Sequence, residues 1–277
     1  ATDQDGNTFE WINYGTQDWA IENAEVLTYR DGTPIPQVTD ATEWSNLTTG
    51  AWCYYDNDST KGKLYNWYAV KGIHDNDENT PYKEFAPNGW HVPSDAEWTT
   101  LEEYLIANGY NYDGTTTGNK IAKAVASTTG WNSSTNTGAI GNDQSLNNKS
   151  GFNAFPEGYR DYYGQFNRDG LGTYYLSSTE YNSDKALWRT PYYVNSHLSR
   201  NSGNKRDGYS LRFVRDASTA TTKDYSDAIT IYPNPTTSII NIEQDFTTAK
   251  VYDISGRELL KSTSKTIDLS ELPSSIY

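Results

Sequence analysis

Residues 89–98 read Gly89-Trp90-His91-Val92-Pro93-Ser94-Asp95-Ala96-Glu97-Trp98, and this stretch predicts where a helix begins. Ser94 and Glu97 have the spacing of a capping box, in which each side chain accepts a hydrogen bond from a free backbone amide of the first turn. Pro93 restricts Val92 to an extended conformation. We therefore expect a strand-like segment that leads into a firmly capped helix.

The predicted helix ends at Asn108-Gly109, a typical C-terminal stop. One side of it carries large apolar residues at helical spacing: Trp98, Leu101, Tyr104 and Leu105. This side should pack against the core. The stretch positions other parts of the chain, and nothing in it has the pattern of a reaction centre.

Charge excludes several classes of partner. Acidic residues outnumber basic ones by 36 to 22, which gives a formal net charge of −14. Such a chain is repelled by nucleic-acid backbones and by anionic lipid surfaces, so we expect no nucleic acid partner. The sequence also has no run of 18 apolar residues, and we expect no membrane insertion.

Cysteine and histidine usage argues against common catalytic and metal centres. Cys53 is the single cysteine, so no disulfide forms within the chain, and its aromatic neighbours predict a buried, inert thiol. The three histidines are far apart in sequence and lack the spacing of zinc-ligand motifs.

The composition is unusually aromatic, with 23 Tyr, 9 Trp and 7 Phe but no Met. Tyr and Trp offer rigid apolar area with a hydrogen-bonding tip, which suits polar binding surfaces. The alternative is that most of these rings fill the core of a loop-rich fold. We expect the majority to do so.

The chain divides by composition into three parts. Residues 1–216 predict an α+β domain with two helices, the second at 119–126, and antiparallel strands. Four late runs predict a meander: 162–166, 172–177, 186–193 and 209–214. Residues 217–228 predict a linker, and residues 229–277 predict a small all-β, immunoglobulin-like sandwich with a hairpin turn at Ser255-Gly256.

Five motifs spread over residues 8–216 carry a family resemblance. They are Gly15-Thr16-Gln17-Asp18-Trp19, Leu64-Tyr65-Asn66-Trp67-Tyr68-Ala69, the stretch 89–98, Ser177-Ser178-Thr179-Glu180-Tyr181 and Gly208-Tyr209-Ser210-Leu211-Arg212-Phe213-Val214-Arg215. With them this region resembles the Fibrobacter succinogenes major paralogous domain. The resemblance implies a C-type-lectin-like fold related to the formylglycine-generating enzyme and to variable receptor proteins. It implies no characterised activity.

The chain departs from that family at two positions. The family usually has a Cys where this sequence has Ala86 and another where it has Phe213. The loss of both implies that one disulfide is missing as a unit, and the resemblance does not say which packing replaces it.

A second resemblance covers residues 229–277. The matching motifs are Ile231-Tyr232-Pro233-Asn234-Pro235 and Val251-Tyr252-Asp253-Ile254-Ser255-Gly256-Arg257. They resemble the C-terminal sorting domain of type IX secretion cargo in Bacteroidetes-type bacteria. The resemblance implies export to the cell surface or the medium, with the outer-membrane translocon and its shuttle and attachment proteins as partners. It also implies further signal elements after Tyr277, so we expect the sorting domain to be incomplete at its C-terminal end.

The late aromatic region is the best candidate for ligand binding. It mixes rings that can stack on sugars with arginine forks that bind hydroxyls or carboxylates. The candidate residues are Tyr159, Arg160, Tyr163, Trp188, Arg189, Tyr192, Tyr193 and Arg200. Strand alternation sends about half of such residues inward, and the sequence leaves open which half faces out.

Asp56-Asn57-Asp58 groups hard oxygen ligands and is a candidate calcium site. Calcium needs six to eight oxygens, and this group lacks the spacing of an EF-hand loop. A solvated polar turn is the alternative.

The favoured function is a secreted or cell-surface adhesion module that recognises a glycan or a protein, and we expect no enzymatic activity. A structural or filament subunit is the alternative. A formylglycine-generating-type enzyme is less favoured, because its reactive Cys pair cannot come from Cys53 alone.

Overall fold

The computed structural model describes residues 1–217, 231–232, 238–243, 245–252, 257–270 and 272. The chain forms two compact units, Ala1–Ala217 and Ser218–Tyr277. Small antiparallel sheets dominate the described residues and helices are few, which confirms the α+β class at this coarse level. Nearly all of the predicted linker, residues 217–228, lies outside the described residues.

The first unit has ten strands and four α-helices among its described residues. In chain order they are β1 (Trp11–Tyr14), β2 (Gln17–Ala20), α1 (Ala41–Ser45), β3 (Trp52–Tyr54), β4 (Lys63–Tyr65), α2 (Trp67–Val70), α3 (Asp95–Ala107), α4 (Ala122–Val125), β5 (Glu157–Arg160), β6 (Phe166–Asp169), β7 (Tyr175–Glu180), β8 (Lys185–Pro191), β9 (Leu198–Asn204) and β10 (Val214–Asp216). The sheets have the orders β1-β2-β10, β3-β4, β5-β6 and β7-β8-β9. Two more helices are present than the sequence predicted, each four or five residues long.

The predicted capping box is present at the start of α3. The Glu97 amide donates to the Ser94 hydroxyl at 3.3 Å, and the Ser94 amide donates to the Glu97 carboxylate at 2.7 Å. The helix ends at Asn108, and Gly109 has a φ of +75°, in the left-handed region that favours glycine. Both boundaries were therefore predictable from local sequence.

The buried side of α3 assembles an aromatic core. The Trp98 ring lies 4.6 Å from Trp19 of β2, 5.8 Å from Phe152 and 5.5 Å from Tyr175 of β7, measured between centroids. Trp19 is fully buried and Trp98 is 1% exposed. One helix thus joins the first hairpin to the late strands.

The two ends of the first unit also meet in this region. Strand β2 pairs with β10, with Val214 opposite Trp19, and His91 forms a bridge with Val214. The motif at residues 89–98, the first hairpin and the last strand of the unit are therefore held together by backbone hydrogen bonds.

The late strands differ from the predicted meander. Residues 162–166, predicted as a strand, include the turn between β5 and β6, because the Asp161 carboxylate accepts the amides of Tyr163 and Gln165. Of residues 209–214, Tyr209 and Ser210 form isolated bridges and Val214 begins β10, so this run is not one continuous strand. Strand β9 was not predicted: its sequence has few β-formers, and it exists because it pairs along all of β8.

The two positions where the resemblance implies cysteines are packed in the hydrophobic core. Phe213 is 2% exposed, and its ring lies 5.6 Å from Phe9 and 6.2 Å from Phe85. Ala86 is buried in the same hydrophobic cluster. Burial of these apolar side chains stabilises this part of the unit without a covalent link.

The second unit is a pair of small antiparallel sheets in its described part. Its strands are β11 (Ile231–Tyr232), β12 (Ile239–Ile242), β13 (Ala249–Tyr252), β14 (Glu258–Ser262) and β15 (Thr266–Asp268). The sheet orders are β11-β12-β15 and β13-β14. The predicted turn at residues 255–256 lies outside the described residues.

Candidate functional site

The register of β8 separates two faces of the late sheet. Arg189 lies opposite Tyr175, and Trp188 lies opposite Leu176. Arg189 contacts Asp95 and Glu102 of α3, whereas the Trp188 ring contacts Tyr174 and Tyr209. Alternation therefore places neighbouring residues of one strand in different environments.

The face opposite α3 carries a group of half-buried rings, which we call the aromatic face: Tyr159, Tyr174, Trp188 and Tyr192. The Tyr174 ring lies 4.7 Å from Tyr159 and 5.1 Å from Trp188. Tyr192 pairs with Gly172, and a methyl group at Gly172 would come within 2.9 Å of the Tyr192 ring. Half burial fixes the rings while part of each remains in contact with solvent.

Tyr209 lies beneath the aromatic face. It is 3% exposed, and its ring stacks on Tyr174 at 5.9 Å with an interplanar angle of 25°. Its hydroxyl sits against Gly203, where an added methyl group would overlap it and would lie 2.9 Å from the Trp188 indole nitrogen. Gly203 is therefore required for the close approach of these two rings.

A buried carboxyl group supports the same cluster. Asp207 is 6% exposed and accepts hydrogen bonds from the Tyr209 hydroxyl at 2.7 Å and from the Asn204 amide at 2.8 Å. Burial raises the pKa of Asp207 to about 6, and the hydrogen bonds from Tyr209 and Asn204 partly offset that rise. Its protonation changes close to neutral pH.

Arg168 lies at the edge of the aromatic face and is exposed. Its Nη1 donates to the Tyr192 hydroxyl at 3.0 Å, and its guanidinium carbon lies 6.0 Å from the Tyr192 ring centroid. Its φ is +72°, which is unfavourable for a residue with a long side chain. Arg168 was not among the predicted binding residues, and its only sequence signal is the turn-like Asn167-Arg168-Asp169-Gly170 context.

Of the predicted binding residues, Arg160 is buried. It is 1% exposed and donates to the carbonyls of Val38 at 2.7 Å, Thr39 at 2.8 Å and Gly164 at 3.1 Å. Its guanidinium also stacks on Trp44 at 4.5 Å. The expectation that Arg160 reaches an external ligand is corrected, because these donors are already used inside the unit.

Arg189 is likewise internal. It is 1% exposed; its Nη1 donates to Asp95 at 2.5 Å and its Nε to Glu102 at 2.5 Å. Asp95 also pairs with exposed Arg200, at 2.9 Å. Arg189 is therefore not placed on a binding surface, and Arg200 belongs to the same ion-pair network at the start of α3.

The remaining predicted rings are distributed over other surroundings. Tyr163 is 63% exposed and stacks on Tyr162 at 4.0 Å. Tyr193 packs against the small cluster that contains Trp131. Of the eight predicted residues, Tyr159 and Trp188 meet through the Tyr174 ring, and Tyr192 contacts Tyr193 and Arg168 at the edge of that face.

The predicted thiol environment is confirmed. Cys53 is fully buried, and burial raises the pKa of its thiol to about 11. A thiol of this kind stays protonated at neutral pH and is a poor nucleophile.

The candidate calcium residues form an exposed turn after β3. Asp56 and Asn57 have φ values of 54° and 55°, and the Asp58 carboxylate accepts from the amide and hydroxyl of Thr60. These hydrogen bonds lower the pKa of Asp58. Within the described residues, no group of three or more His, Cys, Asp or Glu side chains is placed to hold a metal.

In the second unit, the sorting motif is described in part. Tyr232 lies in β11 and is 47% exposed, and Arg257 precedes β14 and is exposed. Pro233, Asn234, Pro235 and Gly256 lie outside the described residues.

Comparison with known proteins identifies both regions. Residues 12–215 match the family model described as the Fibrobacter succinogenes major domain. Residues 230–277 match the model described as the secretion system C-terminal sorting domain. No curated protein and no solved structure shows significant similarity to the chain.

The C-terminal match determines localisation. A type IX sorting domain directs export across the outer membrane, to the cell surface or into the medium, and implies interaction with the type IX machinery. Among the helices that the structure describes, none is long and apolar enough to cross a bilayer.

By these two matches, the chain belongs to the Fibrobacter succinogenes major domain family, in a form exported by the type IX secretion system.

Proposed function

We propose that the protein is an extracellular binding module whose aromatic face binds a glycan. The observation that supports this most is the cluster of half-buried rings Tyr159, Tyr174 and Trp188, in contact on one side of the late sheet, with Tyr192 at its edge beside Arg168. The apolar faces of sugar rings pack on aromatic rings, and phenol hydroxyls bind sugar hydroxyls. Export by the type IX system brings this face to the environment where such ligands occur.

Rigidity supports binding at this face. Tyr209 packs beneath the rings and is anchored by its hydrogen bond to Asp207. A preformed platform loses little conformational entropy when a ligand arrives, so more of the contact energy appears as affinity. Arg168 adds a polar group at the edge of this face. Ligand sites are mostly apolar and have a few precisely placed polar groups that orient the ligand.

We further propose the finer features implied by the family resemblance: a C-type-lectin-like fold for the first unit, an immunoglobulin-like sandwich for the second, and a role without catalysis. The pairing of β2 with β10, which joins both ends of the first unit, supports the lectin-like assignment. The buried thiol of Cys53 argues against thiol chemistry of the formylglycine-generating type.

The calcium site at Asp56, Asn57 and Asp58 remains a proposal that the sequence suggests. Two carboxylates and one amide lie in one exposed turn, with the carboxylate of Asp58 engaged by Thr60. Calorimetric titration with Ca²⁺, before and after Asp56→Asn, tests it. The site is rejected if no binding heat is detected or if the variant titrates like the parent.

Binding of the full chain to a glycan array tests the function. Tyr192→Ala removes an edge ring and is expected to weaken glycan binding at least about tenfold, corresponding to about 1.4 kcal/mol. Tyr82→Ala is the matched control, since Tyr82 is 67% exposed and lies outside the aromatic face. Far-UV circular dichroism and thermal melting establish that both variants are folded.

Other outcomes support other functions. If Tyr192→Ala and Tyr82→Ala weaken glycan binding equally, or if the parent chain binds no glycan, the glycan proposal is rejected. If the parent chain instead assembles into a defined oligomer by mass measurement, and Tyr192→Ala blocks assembly, the ligand is a second copy of the chain and a structural or filament subunit is indicated.

A further inference from the structure

The positive charge of Arg168 narrows the class of glycan that the aromatic face can bind. In the part of the chain that the structure describes, no Asp or Glu side chain forms an ion pair with Arg168, although acidic residues outnumber basic ones in this protein. Its neighbour Asp169 pairs with Lys61, at 3.4 Å. The guanidinium has five N–H donors, and one of them binds the Tyr192 hydroxyl.

The orientation of Arg168 is set by its surroundings. The hydrogen bond to Tyr192 and the contact with the Tyr192 ring hold the guanidinium at the edge of the aromatic face. The backbone at Arg168 is in the left-handed region, which is strained for a residue other than glycine. Backbone strain of this kind is common at binding sites, where it aims a side chain at a ligand.

Two other acidic residues of this region, Asp161 and Asp207, are engaged elsewhere. The Asp161 carboxylate accepts hydrogen bonds from the Tyr163 amide, the Gln165 amide and the Asn167 side chain. The Asp207 carboxyl group is buried beneath the rings and bonded to Tyr209. The Arg168 guanidinium therefore keeps donors for a ligand beside the aromatic face.

We infer that the ligand of the aromatic face is an acidic sugar, whose ring packs on Tyr192 and Tyr174 while its carboxylate is bound by the Arg168 guanidinium. This inference rests on the proposed glycan-binding function. A planar guanidinium matches a carboxylate with two parallel hydrogen bonds, and the charge makes both bonds stronger than neutral ones. The overall charge of −14 repels polyanions, so attraction must come from a local site such as this one.

The test uses the full chain and a panel of uronic-acid oligosaccharides, each beside its methyl ester. The ester keeps the sugar ring and its hydroxyls but removes the charge, so the affinity ratio isolates the carboxylate. We expect the acid to bind about tenfold tighter than its ester. Arg168→Gln should abolish that preference, and Arg168→Lys should retain part of it because the charge remains without the fork.

Salt and a sulfated control sharpen the result. The preference for the acid should shrink as NaCl rises from 50 to 500 mM, because an exposed ion pair is screened. A sulfated polysaccharide that binds as tightly as the uronates, with the same dependence on Arg168, would overturn the assignment to a carboxylate.

The outcomes separate this inference from the function on which it rests. Equal affinity for acid and ester, with binding lost in Tyr192→Ala and unchanged in Arg168→Gln, would overturn the acidic-sugar inference and leave glycan binding intact. No binding of any acidic or neutral glycan would overturn both.

Discussion

Strand β8 presents two faces with opposite properties, although its residues are adjacent in sequence. Toward α3, Arg189 is buried between Asp95 and Glu102, and its charge is neutralised within the unit. Toward the other side, Trp188 joins half-buried tyrosines, and the nearby Arg168 donates a hydrogen bond to the Tyr192 hydroxyl. One face holds the fold together, and the other remains available to a ligand.

The role of each arginine depends on which groups already accept its hydrogen bonds. Arg160 and Arg189 are equally buried, one bonded to backbone carbonyls and the other to carboxylates. Neither guanidinium is accessible to an external ligand. Arg168 is exposed and its partner is neutral, so it keeps charge and donors that a ligand can use.

The largest expected effect on stability comes from removing the buried ion pairs between β8 and α3. Arg189→Met removes the common partner of Asp95 and Glu102 and should lower the free energy of unfolding by about 3–5 kcal/mol, as for other broken buried ion pairs. Denaturant unfolding followed by tryptophan fluorescence measures it for the first unit alone, because all nine Trp lie within residues 11–188.

Arg200→Met is the control for that variant. Arg200 also pairs with Asp95, but its side chain is 53% exposed, so its loss should cost less than about 1 kcal/mol. If the two variants destabilise the protein equally, the α3 face does not depend on the buried arginine and the contrast between the faces fails.

A smaller loss of stability is expected from a substitution in the contact between Gly203 and the rings of Tyr209 and Trp188. Gly203→Ala places a methyl group against the Tyr209 hydroxyl and the Trp188 indole, and should cost about 1–3 kcal/mol as the rings are displaced. Glycan binding should weaken in parallel, although Gly203 itself need not touch the ligand. An unchanged midpoint and unchanged binding would show that the rings do not depend on this contact.

The smallest effect is a pH dependence that originates at Asp207. Burial raises the pKa of Asp207 from an ordinary 3.8 to about 6, so the folded state binds this proton more tightly than the unfolded state. Stability from this group is therefore greatest at low pH and is lost as pH rises through 6. Between pH 5 and pH 7 the loss should be about 1 kcal/mol.

Asp207→Asn identifies the group responsible. The variant should flatten this part of the stability profile, whereas Tyr209→Phe removes a hydrogen bond that lowers the Asp207 pKa and should move the loss to higher pH. Parallel profiles for the parent and Asp207→Asn between pH 5 and pH 7 would contradict the assignment.

Local signals made part of the fold predictable. The capped start of α3 and its stop at Asn108-Gly109 depend on residues within one turn of the backbone groups concerned. The strand predicted at 162–166 failed because the side chain of Asp161 stabilises a turn there. Strand β9 was missed because it depends on pairing with β8 and not on its own composition.

The candidate site was predictable as a region and not as a set of residues. Tyr159, Trp188 and Tyr192 were predicted as binding residues because aromatic residues are dense in this part of the sequence, and their role in binding stays a prediction. Arg160 and Arg189 carried the same sequence signal as a ligand-binding arginine. Their partners lie 122 and 94 residues away in sequence, at Val38 and Asp95, which no local pattern can show.

The sequence alone determined the export route, the two family memberships, the capped helix and the acidic charge, because each is written in contiguous motifs or in composition. The tertiary structure alone decided which face of β8 carries the half-buried rings, that Phe213 packs against Phe9, and that Arg168 is the arginine beside the rings. Those outcomes depend on register and on contacts between distant segments, where a shift of one residue exchanges the buried and exposed sides of a strand.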